Sequence, residues 1–200
     1  MRQLVYSVAA SLDGFIAGPN GEYDWIVPDP AFDFAALWDR FDTLIMGRRT
    51  YEVAIKRFNP IEKMGKRIFV VSTTLDPSQH PGAAILSDGV PDAVASIKTP
   101  PGAQPGKDVW LMGGSLLFRS LVDAGLVDRV EVTVFPVMLG AGGIPLLPAG
   151  QRCQLHLEEC EPYPSGVLSL KYSVCKSHQP PRKCRTPQSL PSIGPNGARS

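Results

Sequence analysis

Several signatures that mark well-known binding and catalytic sites are missing from this 200-residue sequence. No GxGxxG follows the first predicted strand, and the glycine-rich segment 140–143 (GAGG) follows a late strand and leads into Ile-Pro instead of a helix. A GxxxxGK phosphate loop ending in Ser or Thr is absent as well. The sequence shows no Ser-His-Asp or Cys-His arrangement. These absences exclude the Rossmann fingerprint and the P-loop and leave no candidate for a covalent nucleophile.

Cysteine and long apolar runs are also scarce. The four cysteines fall in the last quarter of the chain, and none of them forms a CxxC pair. They are predicted to be free thiols in a reducing cytoplasm, because a chain of this length can bury a core without disulfides. No apolar run reaches about 18 residues, and the first residues resemble a strand instead of a signal peptide, so neither a membrane span nor export is expected. Because His80, His156 and His178 are isolated, no metal site is predicted.

Charge is distributed unevenly along the chain. The net charge is +1, but residues 176–200 carry five basic side chains and no acidic one. The remaining 15 basic and 19 acidic residues give segment 1–175 a net charge of −4, so no nucleic-acid partner is expected. Segment 176–200 also has five prolines and little apolar content. It is predicted to be disordered, following a folded domain at 1–175.

Hydrophobic periodicity predicts strands that alternate with helices as far as about residue 135. Strands are expected at 3–9, 43–46, 67–71, 83–86, 109–111 and 129–135, and helices at 30–40, 50–58, 92–98 and 115–124. Residues 11–24 are expected to form a loop, and 154–161 a long hairpin with 167–174. This order indicates a mainly parallel sheet with helices on both faces and antiparallel pairing at its C-terminal end.

The segment 44–52 (LIMGRRTYE) places a glycine and two arginines between a predicted strand and a predicted helix. Ligands of parallel sheets bind at the carboxyl ends of strands, and a helix N-terminus offers N–H groups to phosphate. Gly47 would let the backbone approach a ligand, whereas Arg48 and Arg49 carry guanidinium groups suited to phosphate oxygens. Thr50 is expected to mark the helix start. An ordinary strand–helix junction with two solvated arginines would have the same sequence.

The segment 109–116 (VWLMGGSL) again runs from a strand through glycines into a helix. Gly113 and Gly114 would let the main chain pack flat against a pyrophosphate or a nicotinamide, and Ser115 is able to cap the helix. A tight turn that needs one residue with positive φ would explain the same glycines.

A third strand end, after residue 71, carries the hydroxyls of Ser72 and Thr73. Such hydroxyls can bind a phosphate, for example the 2′-phosphate of NADP, although turn capping is their ordinary role. Three strand ends of this kind in one chain predict a dinucleotide, which is long enough to lie across several neighbouring strands.

These segments resemble the dihydrofolate-reductase superfamily. Residues 45–52 (IMGRRTYE) are similar to the MGRxTxE segment of dihydrofolate reductases, and residues 112–115 (MGGS) to their later Gly-Gly segment. The segments 11–17 (SLDGFIA) and 128–140 more closely resemble the reductase domain of the bifunctional riboflavin-biosynthesis deaminase-reductase. The resemblance covers about residues 2–175. It implies a three-layer αβα fold with a mixed, mainly parallel central sheet and a C-terminal antiparallel hairpin, and NADPH as the hydride donor.

The resemblance also implies roles for individual residues. The implied cofactor-binding residues are Gly47, Arg48, Arg49, Thr50, Ser72, Thr73, Met112, Gly113, Gly114, Ser115 and Leu116. The loop 11–25 would cover the nicotinamide and the substrate, with Asp13 and Trp25 as substrate contacts. Asp33 is nearest the helix carboxylate that faces the pterin in dihydrofolate reductases and is the candidate proton donor. Asp29 and Asp39 compete with it for this role.

The zinc deaminase half of the bifunctional enzyme is not matched, since its HxE and PCxxC marks do not occur. Three functions stay open: a riboflavin-pathway-like reductase of a ribosylaminopyrimidine or another small heterocycle, a dihydrofolate reductase, and a non-catalytic nucleotide-binding module. The resemblance also implies a homodimer. The apolar stretch 135–147 is either part of its interface or a core strand followed by a buried loop.

Overall fold

Ten strands and four α-helices form in the residues that the computed structural model describes, which are 1–27, 29–99, 106–140 and 142–175. The strands are β1 (Leu4–Ser11), β2 (Phe15–Ala17), β3 (Phe41–Gly47), β4 (Arg67–Val71), β5 (Ala83–Leu86), β6 (Asp108–Gly113), β7 (Arg129–Phe135), β8 (Ile144–Pro145), β9 (Leu155–Pro162) and β10 (Leu168–Val174). The helices are α1 (Phe34–Asp39), α2 (Arg48–Arg57), α3 (Val90–Lys98) and α4 (Ser115–Asp123). The segment 176–200, predicted to be disordered, lies outside the described residues.

Eight strands form one sheet in the order β5-β4-β3-β6-β1-β7-β10-β9, and β2 pairs with β8 in a separate ribbon. The first six strands of that order are parallel, whereas β10 runs antiparallel to both β7 and β9. Parallel neighbours require crossover connections, which explains why helices separate most of the strands before β7. The prediction of a mainly parallel sheet with an antiparallel C-terminal hairpin is confirmed.

Alternate residues of the central strands face two separate hydrophobic cores. Val5 and Trp110 face the core beneath α2, where Tyr51 is only 2% exposed. Tyr6 and Leu111 face the opposite core, which α3 and α4 cover. Both faces of the sheet are therefore covered, and the predicted three-layer αβα fold is confirmed. None of the helices in the described part of the chain has the length and apolar character needed to span a bilayer.

The first helix is shorter than its apolar spacing predicts. The prediction covers 30–40, whereas the helix covers only Phe34–Asp39. A turn occupies the preceding residues, in which the carboxylate of Asp29 accepts a hydrogen bond from the N–H of Ala31 at 2.7 Å. The apolar residues at helical spacing in this part of the sequence end with Phe41. In the structure Phe41 is the first residue of β3 and is fully buried. The stripe therefore belongs to two successive elements and not to one helix.

The predicted roles of Thr50 at the start of α2 and of Ser115 as the cap of α4 are both wrong. The N-cap of α2 is Gly47 and not Thr50, because β3 passes directly into the helix without a loop. The N-cap of α4 is Gly114, and Ser115 is the first helical residue, with 6% of its surface exposed. Neither helix has a side-chain cap, so the first N–H groups at both N-termini depend on other partners.

The predicted loop 11–24 contains a short strand that the sequence does not reveal. This strand, β2, pairs with β8 in the apolar stretch 135–147. The N–H of Leu146 also donates to the carbonyl of Gly14 at 2.8 Å. Strands of two or three residues are too short to show a period. The ribbon holds the first loop beside the carboxyl end of β1.

Candidate functional site

The carboxyl ends of five parallel strands lie side by side along one edge of the sheet. In spatial order they belong to β4, β3, β6, β1 and β7. The register aligns the last residues, since Gly47 pairs with Val71 and Ser11 with Phe135. Neighbouring strands are about 4.8 Å apart, so the row is roughly 19 Å long. The three segments that the sequence predicts to bind a dinucleotide lie in this row.

The glycine turns after β3 and β6 pack against each other in the middle of the row. A Cβ atom on Gly47 would lie 4.0 Å from the carbonyl oxygen of Gly113. Gly113 has a φ of +138°, and a Cβ there would lie 3.4 Å from the hydroxyl oxygen of Thr50. Gly114 has a φ of −45°, and no atom lies within 4 Å of its Cβ position. The two turns form a floor without side chains, which we call the glycine floor (Gly47, Gly113 and Gly114).

Helices α2 and α4 both begin at the glycine floor. The first N–H groups of a helix have no acceptor within the helix, and the helix dipole adds partial positive charge at this end. Arg48 and Arg49 are exposed at the start of α2. Arg48 contacts the carboxylate of Glu52 at 3.2 Å. Two helix N-termini and two guanidinium groups at one edge suit an anionic ligand such as a pyrophosphate.

Ser72 and Thr73 follow the end of β4 beside the glycine floor. Ser72 is buried, and its hydroxyl oxygen accepts hydrogen bonds from the N–H groups of Thr74 and Leu75, each at 3.2 Å. Thr73 is exposed. Ser72 therefore holds the turn after β4, and Thr73 is the member of the pair that faces solvent.

The remaining predicted cofactor residues, around the start of α4, differ in exposure. Ser115 is buried, and Met112 packs against the core beneath α2. Leu116, in the first turn of α4, is 77% exposed. Of these three residues, only Leu116 presents an apolar side chain to solvent at this edge.

Asp13 anchors the first loop to the segment that follows β7. Its carboxylate accepts hydrogen bonds from the Ser11 hydroxyl at 2.6 Å, the Leu139 N–H at 3.1 Å and the Gly140 N–H at 2.8 Å. These donors, the Ser11 hydroxyl foremost, hold the pKa of Asp13 below its ordinary value. Asp13 therefore positions the loop beside the strand ends, and its predicted contact with substrate stays a prediction.

Trp25 packs against the last residue of β7, at the β7 end of the row of strand ends. Its ring meets the ring of Phe135 edge-on, with centroids 5.7 Å apart. The indole N–H donates to the carbonyl of Glu22 at 3.3 Å. The side chain is only half-buried, so part of the ring forms a wall at this end of the row.

The candidate carboxylates of α1 lie at opposite ends of the helix. Asp33 is its exposed N-cap and accepts a hydrogen bond from the N–H of Ala36 at 2.8 Å. Asp39, in the last turn, pairs with Lys107 at 2.6 Å. Lys107 precedes β6, so Asp39 lies towards the amino ends of the strands and away from the glycine floor. Asp33 stays the predicted proton donor, with helix capping as its observed contact.

Asp29 forms a link that the sequence does not reveal. Its carboxylate accepts hydrogen bonds from the N–H of Ser165 at 3.2 Å and from the N–H of Ala31. The pKa of Asp29 is lowered, first by a hydrogen bond with the Ser165 side chain and then by the N–H of Ala31. The rings of Phe32 and Tyr163 meet beside it, with centroids 5.7 Å apart. We call these five residues the Asp29 latch, since they tie the loop before α1 to the turn between β9 and β10.

A cavity of about 420 Å³ lies between α2 and the segment 77–81. The Tyr51 hydroxyl and His80 Nδ1 are 3.2 Å apart at its wall, so His80 is tied to the core and is not isolated. None of the predicted site residues lines this cavity. Among the described residues, no three His, Cys, Asp or Glu side chains are grouped so that they could hold a metal ion.

The fold and the row of strand ends are those of a dihydrofolate-reductase-like protein. The diaminohydroxyphosphoribosylaminopyrimidine deaminase/5-amino-6-(5-phosphoribosylamino)uracil reductase of Thermotoga maritima superposes with a TM-score of 0.64 at 15% identity, over 87% of this chain and 57% of that chain. This chain thus spans little more than half of that bifunctional protein, and the likeness concerns the fold alone.

Two other proteins are more similar in sequence. A Shewanella sp. PV-4 structure, provisionally assigned as a riboflavin biosynthesis protein, is 26% identical with a TM-score of 0.72, over 88% of this chain and 100% of that chain. The uncharacterised protein YyaP of Bacillus subtilis (strain 168) is 31% identical over 182 residues, which are 86% of this chain and 94% of that protein. The sequence model of the RibD C-terminal domain matches residues 2–169. The chain therefore belongs to the RibD C-terminal domain family, and the predicted resemblance is confirmed.

Proposed function

We propose that this protein is an NADPH-dependent oxidoreductase that reduces a small heterocyclic substrate. The proposal includes substrates of the 5-amino-6-(5-phosphoribosylamino)uracil type, which the name of the Thermotoga maritima relative specifies for that protein. The observation that carries it is the glycine floor, beside which two helices begin without side-chain caps. Membership of the RibD C-terminal domain family supports a reductase in particular.

The residues along the row fit a dinucleotide. The open space above Gly114 leaves room for a phosphate to approach the backbone closely. Arg48 and Arg49 supply charge-assisted hydrogen bonds to phosphate oxygens. Thr73 lies one strand further along, where a ribose phosphate would extend. The row is also long enough to place the other end of the cofactor near Trp25.

The chemistry divides between the cofactor and the chain. When bound, NADPH supplies a hydride for a C=N or C=O carbon of the substrate. The chain would hold the two reacting carbons within about 3–3.5 Å of each other and exclude water. The loop that Asp13 anchors, with Trp25, covers this end of the row. A proton for the neighbouring heteroatom would come from Asp33 or from an ordered water.

Arg48→Ala and Gly114→Val test the cofactor site. Each is expected to weaken NADPH binding about tenfold or more, because the first removes a charged donor and the second fills the space above the glycine floor. NADPH fluorescence during titration measures the affinity. Arg57→Ala, at the other end of α2, is the matched control and should leave the affinity within about twofold. Unchanged affinity in both test variants would overturn the proposal.

Dihydrofolate reduction and non-catalytic nucleotide binding are the alternative functions. NADPH oxidation measured with a ribosylaminopyrimidine and with dihydrofolate separates the two reductases.

We also propose a homodimer whose interface includes the stretch 135–147, in which Met138 is 73% and Leu147 is 43% exposed. A cytoplasmic location and a domain boundary at residue 175 remain proposals.

A further inference from the structure

We infer that the substrate of this protein is a neutral or positively charged heteroaromatic molecule without a phosphate or carboxylate tail. The inference rests on the proposed function, because it concerns the cleft beside the nicotinamide end of the bound cofactor. It narrows the proposed substrate class by charge and leaves out its phosphorylated members, such as 5-amino-6-(5-phosphoribosylamino)uracil itself. In the proposed function this cleft lies among the first loop, α1 and the end of β7, where Trp25 packs against Phe135.

The segment that supplies most of these walls has no basic residue at all. Between Arg2 and Arg40 the sequence contains no Lys, Arg or His. The same segment carries six acidic residues, which are Asp13, Glu22, Asp24, Asp29, Asp33 and Asp39. Four of them, Asp13, Glu22, Asp29 and Asp33, accept hydrogen bonds from backbone N–H groups. Glu22 and Asp24 lie within three residues of Trp25 in the chain.

The segments that face this loop are equally poor in positive charge. No Lys, Arg or His occurs in 130–151, which includes most of β7 and the stretch that pairs with the first loop. None occurs in 157–170, which includes the hairpin turn held by the Asp29 latch. Within these three segments, a phosphate bound here would therefore find no basic side chain as counter-ion.

The basic side chains around α1 are already paired with acidic side chains or backbone carbonyls. Arg40, which precedes β3, makes two hydrogen bonds to the carboxylate of Glu131 at 2.7 and 2.9 Å. Lys66, which precedes β4, donates to the carbonyls of Trp38 and Phe41 at 3.0 and 2.6 Å. Lys107 pairs with Asp39. Lys66 and Lys107 lie at the amino ends of the strands, and the charge of Arg40 is compensated by Glu131.

The surface that the cleft does offer is aromatic. Trp25 stands edge-on to Phe135 at the end of β7. Phe34, in the first turn of α1, is 56% exposed, and its ring lies 6.5 Å from that of Trp110. Such rings stack on planar heterocycles, and they attract positive charge over their faces. An anionic tail would instead lose its hydration beside carboxylates of like charge.

Matched ligand pairs test this inference. The first pair is a ribosylaminopyrimidine and its 5′-phosphate. The second is dihydropterin and dihydrofolate, which adds an aminobenzoyl-glutamate tail with two carboxylates. Binding to the full-length protein saturated with NADP⁺ is measured by quenching of tryptophan fluorescence. The member without the anionic tail is expected to bind at least tenfold more tightly in each pair. Equal or tighter binding of the phosphorylated member would overturn the inference.

A charge variant provides a second readout that depends on the cleft itself. Asp24→Lys adds positive charge beside Trp25 and should improve binding of the 5′-phosphate severalfold, more at low salt, while the unphosphorylated partner changes little. Asp92→Lys makes the same charge change on α3, on the other face of the sheet, and should alter neither ligand. An equal response of both ligands to Asp24→Lys would count against the inference.

NADPH affinity separates the two possible failures. If the protein does not bind NADPH, or binds none of the four compounds in its presence, the proposed function itself fails. If NADPH binding is intact and the anionic members are preferred, the reductase proposal stands and only the inferred substrate class is lost.

Discussion

Two adjacent glycines at the end of β6 meet different structural demands. Gly113 has a φ of +138° and faces the hydroxyl of Thr50, so a side chain there would be strained. Gly114 has a φ of −45°, and the space around its Cβ position is open. The fold therefore requires a glycine at the first position, whereas only a ligand would require one at the second.

Gly113→Ala and Gly114→Ala should consequently separate folding from binding. The first variant is expected to lose about 1–3 kcal/mol of unfolding free energy, because a residue with Cβ would be held at positive φ. The second is expected to stay within about 0.5 kcal/mol of the parent while binding NADPH more weakly. Urea denaturation and NADPH titration measure the two quantities. Similar stability losses in both variants would contradict this assignment.

Among the secondary-structure elements, α1 begins at a residue with two potential roles, Asp33. Asp33 caps the helix through its bond to the N–H of Ala36, and it is also the predicted proton donor. A short helix of six residues depends on its cap and on packing against the sheet. The capping contact alone is sufficient to explain an aspartate at this position.

Asp33→Asn and Asp33→Ala distinguish the two roles. Asparagine is as good an N-cap as aspartate, whereas alanine is expected to cost about 1 kcal/mol of stability. If Asp33 donates the proton, kcat should fall about 100-fold or more in both variants, and the decline in rate with rising pH that a general acid imposes should disappear. If Asp33 only caps α1, Asp33→Asn should have nearly parental activity and an unchanged profile. Initial rates of NADPH oxidation across pH decide between them.

For the whole molecule, the Asp29 latch joins parts of the chain that are 136 residues apart. It closes the loop before α1 onto the C-terminal hairpin, beyond the end of β7. Hydrogen bonds from Ser165 and Ala31 favour the ionised carboxylate, which is why the pKa of Asp29 is lowered. The latch therefore stabilises the fold at pH values above the ordinary pKa of an aspartate. This stabilisation is lost as the pH falls through the lowered pKa of Asp29.

The stabilisation by the Asp29 latch can be measured as the difference in melting temperature between the parent protein and Asp29→Asn. It should be constant from about pH 8 to pH 5 and should shrink below about pH 4, as the parent carboxylate becomes protonated. Asp24→Asn, in the same loop, provides a control. A difference that does not change between pH 7 and pH 3 would show that the charge of Asp29 has no part in the link.

Much of the fold follows from local sequence patterns. The bounds of β4, β5 and β7 agree with the apolar runs that predict them, because a buried parallel strand is a short apolar segment between turn residues. The start of α1 is not predictable in this way. Its apolar stripe continues into β3, and the side chain of Asp29 stabilises a turn where the period alone indicates a helix.

The sequence by itself determined the family, the three-layer fold and the strand ends at which glycines, arginines and hydroxyls are found. These features are local, since each depends on a few consecutive residues. Only the tertiary structure decided that β6 inserts between β3 and β1, which brings Gly113 against Gly47. It also decided that Asp29 meets Ser165 and that Arg40 pairs with Glu131. Such contacts join residues that are distant in the chain, and no local pattern encodes them.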